Sequence, residues 1–135
     1  MLPARRLVVE PALSTVVVYH YPACGTCRSA LAFLRARGVA HELVDIVKDP
    51  PSAALLEEAL ARSGLPLRRL FNTSGVSYRE GGFKDRVDTD PREALLAALA
   101  ADGKLIRRPL VLAGDAVLVG FDAELWSHTF PGAPR

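Results

Sequence analysis

Cysteine is scarce in this chain, and so are the features of membrane and nucleic-acid-binding proteins. Its 135 residues include two cysteines, one tryptophan and one methionine, and the net charge is only +2. No apolar run approaches the ~20 residues that a membrane-spanning helix requires. So small a charge also gives no electrostatic reason to bind nucleic acid or a membrane surface. We therefore expect neither kind of partner.

The N-terminal residues match a secretion signal only weakly. Glu10 and Pro11 interrupt the apolar stretch after Arg6, so it is shorter than the ~7–15 residues of a signal-peptide core. We interpret residues 1–13 as an extension and expect a cytoplasmic protein. In a reducing compartment, two neighbouring cysteines are typical of catalysis or metal binding rather than of a structural disulfide.

What the chain does contain is a cysteine pair, Cys24-Gly25-Thr26-Cys27, between a predicted strand and a predicted helix. A thiol at a helix N-terminus lies near unpaired N–H groups and the positive end of the helix dipole, which favour the thiolate. The second thiol is close enough to attack a mixed disulfide formed on the first. The pattern alone leaves three uses open: a redox site, half of a metal site, or inert core cysteines.

A metal site is the weakest of these alternatives. Structural zinc needs about four ligands. The three histidines, His20, His41 and His128, have no spacing that would complete such a set with the cysteines. We therefore expect no metal and no bound cofactor.

The residues around the cysteine pair predict a βαβ unit. Residues 15–20 are short, apolar and β-branched, as buried strands are. A helix should run from the cysteine loop to about Arg37, with Gly38 just beyond its end. Residues 39–46 predict a second strand. Because a crossover helix joins them, the two strands should be parallel.

The second half of the chain predicts helices followed by a β-hairpin. We expect a helix over residues 53–62, a loop over residues 72–82, and a helix with Asp90 as its N-cap. Residues 110–113 and 116–119 predict the two strands of the hairpin, joined by a glycine-containing two-residue turn.

These elements together predict an α/β fold: a thioredoxin-like core with two parallel strands, an antiparallel hairpin and a helical insertion. Half of the residues are hydrophobic, enough for the core of one compact domain. We expect a monomer. The predicted parts are an N-terminal extension (1–13), the core (14–50 and 105–130), an inserted helical subdomain (51–104) and a tail (131–135).

Three sequence motifs, which the hydrophobic periodicity of helices and strands does not explain, indicate a protein family. They are His20-Tyr21-Pro22-Ala23-Cys24-Gly25-Thr26-Cys27-Arg28, Leu105-Ile106-Arg107-Arg108-Pro109-Leu110-Val111 and Val119-Gly120-Phe121-Asp122. Over about residues 14–128 the chain resembles the arsenate reductase (ArsC) family and its Spx-like relatives. It is most similar to the uncharacterised branch that carries Cys-x-x-Cys. The family fold is a thioredoxin-like core with a helical insertion, which agrees with the elements above.

The resemblance implies roles for individual residues. Cys24 would be the nucleophile, and we expect Cys27 to be the resolving thiol. Arg108 would stabilise the thiolate and a bound anion, and Pro109 would be a cis proline facing the cysteine loop. The remaining candidates for thiolate stabilisation or substrate binding are His20, Gly25, Thr26 and Arg28.

The chain also departs from the arsenate reductases of the family. Those that use glutaredoxin have a residue other than cysteine at the place of Cys27, and they hold the oxyanion with three arginines. Only Arg108 matches one of these; Asn72 and about Gly120 stand at the other two places. Because arsenate carries up to two negative charges near neutral pH, fewer cations should weaken its binding.

Two functions follow as hypotheses. The first is a thiol–disulfide oxidoreductase that acts on a small-molecule or protein disulfide and is regenerated by glutathione, thioredoxin or glutaredoxin. Arsenate reduction is a special case of it. The second is an Spx-like redox-sensing regulator that binds RNA polymerase, in which oxidation of the pair changes a binding surface.

Overall fold

A four-stranded mixed sheet forms the centre of the protein, which a computed structural model describes over residues 16–131. Its strands are β1 (Val16–His20), β2 (Glu42–Asp45), β3 (Leu110–Ala113) and β4 (Ala116–Val119). In the order β2–β1–β3–β4, β1 pairs in parallel with β2 and antiparallel with β3, and β3 pairs antiparallel with β4. The thioredoxin-like arrangement is therefore confirmed. The predicted extension 1–13, and all of the predicted tail except Pro131, lie outside the described residues.

Helices connect and cover the strands. Over residues 16–131 they are α1 (Gly25–Ala36), α2 (Ala53–Ser63), α3 (Val76–Glu80), α4 (Phe83–Thr89), α5 (Arg92–Ala101) and α6 (Ala123–Thr129), with 3₁₀ turns at Leu67–Leu70 and Gly103–Leu105. None of the helices in this range is both long enough and apolar enough to cross a membrane.

The two faces of the sheet support separate hydrophobic clusters. Leu110 and Val111 are neighbours on β3 and belong to different clusters, because side chains alternate along a strand. The α1-side cluster combines β1 and α1 residues with Trp126 of α6. The insertion-side cluster is formed largely by residues of α2, α5 and the segments between them. How the chain divides into core and inserted subdomain stays a prediction.

Helix α1 follows directly from its apolar spacing. Its buried residues are Cys27, Ala30, Leu31 and Leu34, separated by three or one positions, so they form one stripe. The helix ends before Gly38, whose φ of +69° is accessible to glycine at little cost. Cys27 therefore belongs to the face of α1 that packs on the sheet.

The expected loop over residues 72–82 is wrong in its second half, where α3 forms, and the unpredicted helix α4 follows. Helix α3 has no buried residue, and α4 buries only Phe83. Short helices with so little apolar periodicity are difficult to recognise from sequence. The ring of Tyr78 stacks on that of Phe83 at 6.4 Å between centroids, and this contact joins the two helices.

The predicted N-cap of α5 is also wrong. Pro91 is the N-cap, and Asp90 instead ends α4. The Asp90 carboxylate accepts a hydrogen bond from Arg86 Nε at 2.8 Å, one helical turn earlier. A carboxylate held by this ion pair does not cap the next helix. The capping residues Ser52 and Asp122, by contrast, accept the backbone hydrogen bonds of Leu55 and Leu125 as such residues should.

Candidate active site

The two cysteines occupy different environments at the start of α1. Cys24 is the N-cap residue, with extended backbone angles, and it is partly exposed. Cys27 lies in the first helical turn and is fully buried. Its sulfur accepts the Tyr21 backbone N–H at 3.5 Å. Both are free thiols, so the pair is reduced, with one sulfur facing solvent and the other behind it.

The pKa of the Cys24 thiol is lowered from its ordinary value. Partial burial acts in the opposite direction, but it is outweighed by the backbone N–H of Cys27, the Cys27 thiol, the N–H of Thr26 and the charge of Arg108. The side chain makes no capping hydrogen bond of regular geometry, so the N–H groups act mainly through their dipoles. Cys24 is therefore the more acidic thiol, and thiolate is the nucleophilic form of cysteine.

Burial raises the pKa of the Cys27 thiol to about 11. The Tyr21 N–H lowers it, while the hydrogen bond to Cys24 and the negative charge there raise it, and Arg108 lowers it slightly. Cys27 consequently keeps its proton near neutral pH and donates it toward the Cys24 sulfur. The pair thus holds one readily ionised thiol and one proton donor.

Arg108 is fixed beside the cysteines by three contacts. Its guanidinium donates to the carbonyls of Lys104 and Ile106 at 3.3 and 3.4 Å. It also lies over the Tyr21 ring at 5.1 Å from the centroid, an arrangement that favours the cation. The Arg108–Pro109 peptide bond is cis, the geometry that the family resemblance implies. The charge of Arg108 acts on the pKa of both cysteines.

A cavity of about 360 Å³ opens in front of Cys24. It is lined by Cys24, Thr26, Asn72, Ser74, Arg107, Arg108, Gly120 and Phe121. Two of these side chains are cationic, three are neutral and polar, and none is acidic. The lining therefore suits a small anionic ligand whose reacting atom faces the Cys24 sulfur.

The predicted site residues do not all meet at this cavity. Cys24, Thr26 and Arg108 line it. Cys27 and Pro109 are buried close to it along the chain. Gly25 opens helix α1. Arg28 is exposed and donates to the Pro22 carbonyl at 3.2 Å.

His20 lies elsewhere. It pairs with Asp45 in the register of β1 and β2, and its charge lowers the pKa of that carboxyl only as the last of several causes. Its Nδ1 is buried without a hydrogen-bond partner within the described part of the chain. His20 is not among the groups that shift the pKa of Cys24.

Sequence reasoning missed several residues of the lining. Phe121 stands inside the third motif and Ser74 in the predicted loop 72–82, and nothing in their residue type indicated a place in the site. Arg107 is exposed, yet its side chain also lines the cavity. Among residues 16–131, no group of three or more His, Cys, Asp or Glu side chains could hold a metal ion.

A comparison with known protein families identifies the same region of the chain. Residues 19–129 match the ArsC family. The chain belongs to the ArsC family.

Individual relatives cover most of the chain. It is 41% identical over 116 residues to the uncharacterized protein YusI of Bacillus subtilis, covering 86% of this chain and 98% of YusI. It is 41% identical over 99 residues to an arsenate reductase of Rhizobium meliloti, covering 73% of this chain and 69% of that enzyme. The crystal structure of an ArsC family related protein from Bacteroides fragilis has a TM-score of 0.80 at 39% identity, covering 84% of this chain and 95% of that one. The predicted family membership is therefore confirmed.

Proposed function

We propose that this ArsC-family chain is a thiol–disulfide oxidoreductase in which Cys24 is the nucleophile and Cys27 the resolving thiol. The observation that carries the proposal is the contrast between the two sulfurs. Cys24, with a lowered pKa, lines a cationic cavity, while Cys27, protonated and buried, lies directly behind it. An enzyme with a resolving thiol needs this division, because only one sulfur should meet the substrate.

The first step forms a mixed disulfide. The Cys24 thiolate attacks one sulfur of a substrate R–S–S–R′, a Cys24–S–S–R bond forms, the substrate S–S bond breaks, and R′–S⁻ leaves. The charge of Arg108 and the N–H groups at the start of α1 stabilise the attacking thiolate. They also favour binding of an anionic group close to it.

The second step closes the ring. Cys27 loses its proton to water and attacks the Cys24 sulfur, so that R–S⁻ leaves and a Cys24–Cys27 disulfide remains. While Cys24 is a thiolate, its charge helps to keep the pKa of Cys27 high. In the mixed disulfide Cys24 carries no charge, so Cys27 becomes more acidic when it has to attack. Two electrons have then passed from the pair to the substrate.

An external thiol must return these electrons. We propose glutathione, thioredoxin or glutaredoxin as the reductant, and small-molecule or protein disulfides as substrates, for a monomer that works in the cytoplasm. Arsenate is a second candidate substrate, because the chain resembles proteins named arsenate reductase and its cavity contains two arginines. Reduction of arsenate to arsenite consumes the same two electrons.

A substrate panel tests the proposal. The wild type, Cys24→Ser and Cys27→Ser are compared with glutathione disulfide, 2-hydroxyethyl disulfide and arsenate, each with glutathione or thioredoxin as reductant. The exposed Arg35→Gln variant, at the far end of α1, serves as a control. We expect turnover of a disulfide by the wild type and by Arg35→Gln, and none by Cys24→Ser. Full activity of Cys24→Ser would contradict the proposal. Absence of all turnover, with RNA polymerase binding only to the oxidised chain, would instead support the regulator.

A further inference from the structure

The side chain of Arg107 occupies the space next to Gly120. A Cβ atom added to Gly120 would lie 3.0 Å from Arg107 Nε, 3.8 Å from its Cδ and 3.9 Å from its Cζ. The first of these distances is tighter than an ordinary van der Waals contact. The Arg107 side chain therefore packs closely against the position from which a side chain at residue 120 would begin.

The base of the Arg107 side chain is held in place by the backbone. Its N–H donates to the Leu70 carbonyl at 2.7 Å, and the preceding residue, Ile106, forms an isolated antiparallel bridge with Phe71. On the other side, the Gly120 N–H donates to the Pro109 carbonyl at 2.9 Å. The two segments that bring Arg107 and Gly120 together are thus hydrogen-bonded independently of the arginine side chain.

The charge of Arg107 is not neutralised by a neighbouring carboxylate. Within residues 16–131 the ion pairs involve Arg62, Arg68, Arg86 and Arg92. Arg108, the other cation of the cavity, donates instead to backbone carbonyls. Two positive charges therefore face a cavity that no acidic side chain lines.

We propose that Arg107 is a specificity-determining residue that gives the cavity a second cation and makes Cys24 select anionic over neutral reaction partners. Gly120 provides the space for it. The group that Arg107 recognises is a carboxylate carried by the reacting molecule, or an oxyanion that is itself the reacting molecule. This inference deepens the proposed oxidoreductase function by adding the charge of the substrate. What it says about substrates rests on that proposed function.

The arrangement changes what the missing family arginines imply. With Asn72 and Gly120 at two of the three arginine places, Arg108 would be expected to act alone. Arg107 reaches the region of the second of these places from the preceding strand connection rather than from residue 120 itself. The cavity then has two cations, and a planar guanidinium can bind a carboxylate or an oxyanion through two hydrogen bonds.

A pair of alkylating reagents tests the role of Arg107 without any substrate. Iodoacetate and iodoacetamide react with the same Cys24 thiolate, forming the same S–C bond and releasing iodide, and they differ mainly in charge. The ratio of their rate constants therefore cancels changes in the pKa of Cys24 and reports the local charge. Rates are measured at low ionic strength, where screening is weak, in a Cys27→Ala background that leaves a single thiol.

We expect Arg107→Gln and Arg107→Met to lower the iodoacetate-to-iodoacetamide ratio by about three- to tenfold, the effect of one unit charge in a partly solvated site. Arg107→Lys should keep the ratio within about twofold, since the charge remains. Arg35→Gln removes the same charge from an exposed position at the other end of α1 and should leave the ratio unchanged. Equal ratios in Arg107→Gln, Arg107→Met and Arg35→Gln would overturn the proposal.

A kinetic comparison connects this result to the substrate. In an otherwise native chain, Arg107→Gln should raise KM for glutathione disulfide, which carries carboxylates, and leave KM for the neutral 2-hydroxyethyl disulfide unchanged. An equal change for both substrates would contradict selection by charge. If the wild type turned over neither, the proposed function would fail, while the alkylation ratio would still decide whether Arg107 acts on anions at Cys24.

Discussion

The two sides of the cavity are constructed in different ways. The thiol side comes from one short stretch, in which Cys24, Thr26 and Cys27 are ordered by the first turn of α1. The cation side combines Asn72 and Ser74, the two arginines before β3, and Gly120 after β4. The comparison teaches that thiol reactivity in this protein is mainly a local property, to which Arg108 adds one distant charge, whereas selection of the reaction partner depends on the assembled tertiary structure.

The two sides also differ in what holds them. The Cys24 thiolate is stabilised mainly by backbone N–H groups of its own helix. Arg108 is held by carbonyl oxygens and the Tyr21 ring, and Arg107 begins from a backbone hydrogen bond to Leu70. Substitutions can therefore separate reactivity from selectivity. Four predictions follow from this difference, from the largest expected effect to the smallest.

Removal of the resolving thiol should have the largest effect. Without added thiol, we expect Cys27→Ala to retain a mixed disulfide with one substrate half per chain, because the variant has no second sulfur to release it. The wild type should then release both substrate halves as thiols and the variant only one, which mass spectrometry and a thiol assay would both measure. Release of the mixed disulfide at the wild-type rate would show that Cys27 does not resolve.

Gly103 precedes Lys104, whose carbonyl accepts a hydrogen bond from Arg108, and its close packing can be tested by substitution. A Cβ on Gly103 would lie only 2.6 Å from the Ile46 carbonyl carbon and would overlap the carbonyl oxygen, so the backbone would have to move. Gly103→Ala should reduce the free energy of unfolding in urea by about 2–4 kcal/mol. The control Gly64→Ala, at φ +72° with open space around it, should cost only about 1–2 kcal/mol. A smaller loss in Gly103→Ala than in Gly64→Ala would contradict this account.

Loss of the Arg108 charge should affect both sides. Arg108→Gln removes a contribution that lowers the pKa of Cys24, so the alkylation of Cys24 by iodoacetamide should shift to higher pH. At pH 7 we expect the rate to fall about threefold. The Tyr21→Leu variant keeps the Arg108 charge but removes the ring beneath it. A fall in the alkylation rate smaller than that of Arg108→Gln would show that the position of the guanidinium matters as well as its charge. An unchanged pH profile in Arg108→Gln would remove Arg108 from the thiol chemistry.

The pH dependence of the two thiols should separate them in the folded chain. Because the pKa of Cys24 is lowered, its alkylation should rise with pH around a midpoint below that of the same thiol in the denatured chain. Cys27, with a pKa of about 11, should stay unreactive until the solution is strongly alkaline. Peptide mapping after alkylation at several pH values measures both. The difference should vanish in denaturant, and its persistence there would place its cause in the local sequence.

The thiol side could be predicted from sequence because its signals are local. The β-branched run and the cysteine before a helical stripe each act within about four residues. The parallel pairing of β1 with β2 followed from the crossover rule. These elements needed no knowledge of distant contacts.

The cation side could not be predicted in the same way. Helix α3 is only five residues long and buries none of them. A helix of this kind has no apolar stripe by which the sequence could reveal it. Asp90 has the right chemistry for a cap, but the ion pair with Arg86 outcompetes that role. Arg107 lies in the cavity against residue 120, across the β3–β4 hairpin, which has no side chain. Such contacts depend on residues that only the folded chain brings together.

The cavity lining extends from Cys24 to Phe121 and draws on four separate segments. Its contact order is therefore high, and the complete site cannot form before all four segments have come together. Partial unfolding of any of these segments would dissolve the site. By linkage, an anion bound at 100 times its Kd would raise the stability of the native state by about 2.7 kcal/mol. Thermal denaturation in the presence of different anions would thus rank the ligands of this cavity without knowledge of the reaction.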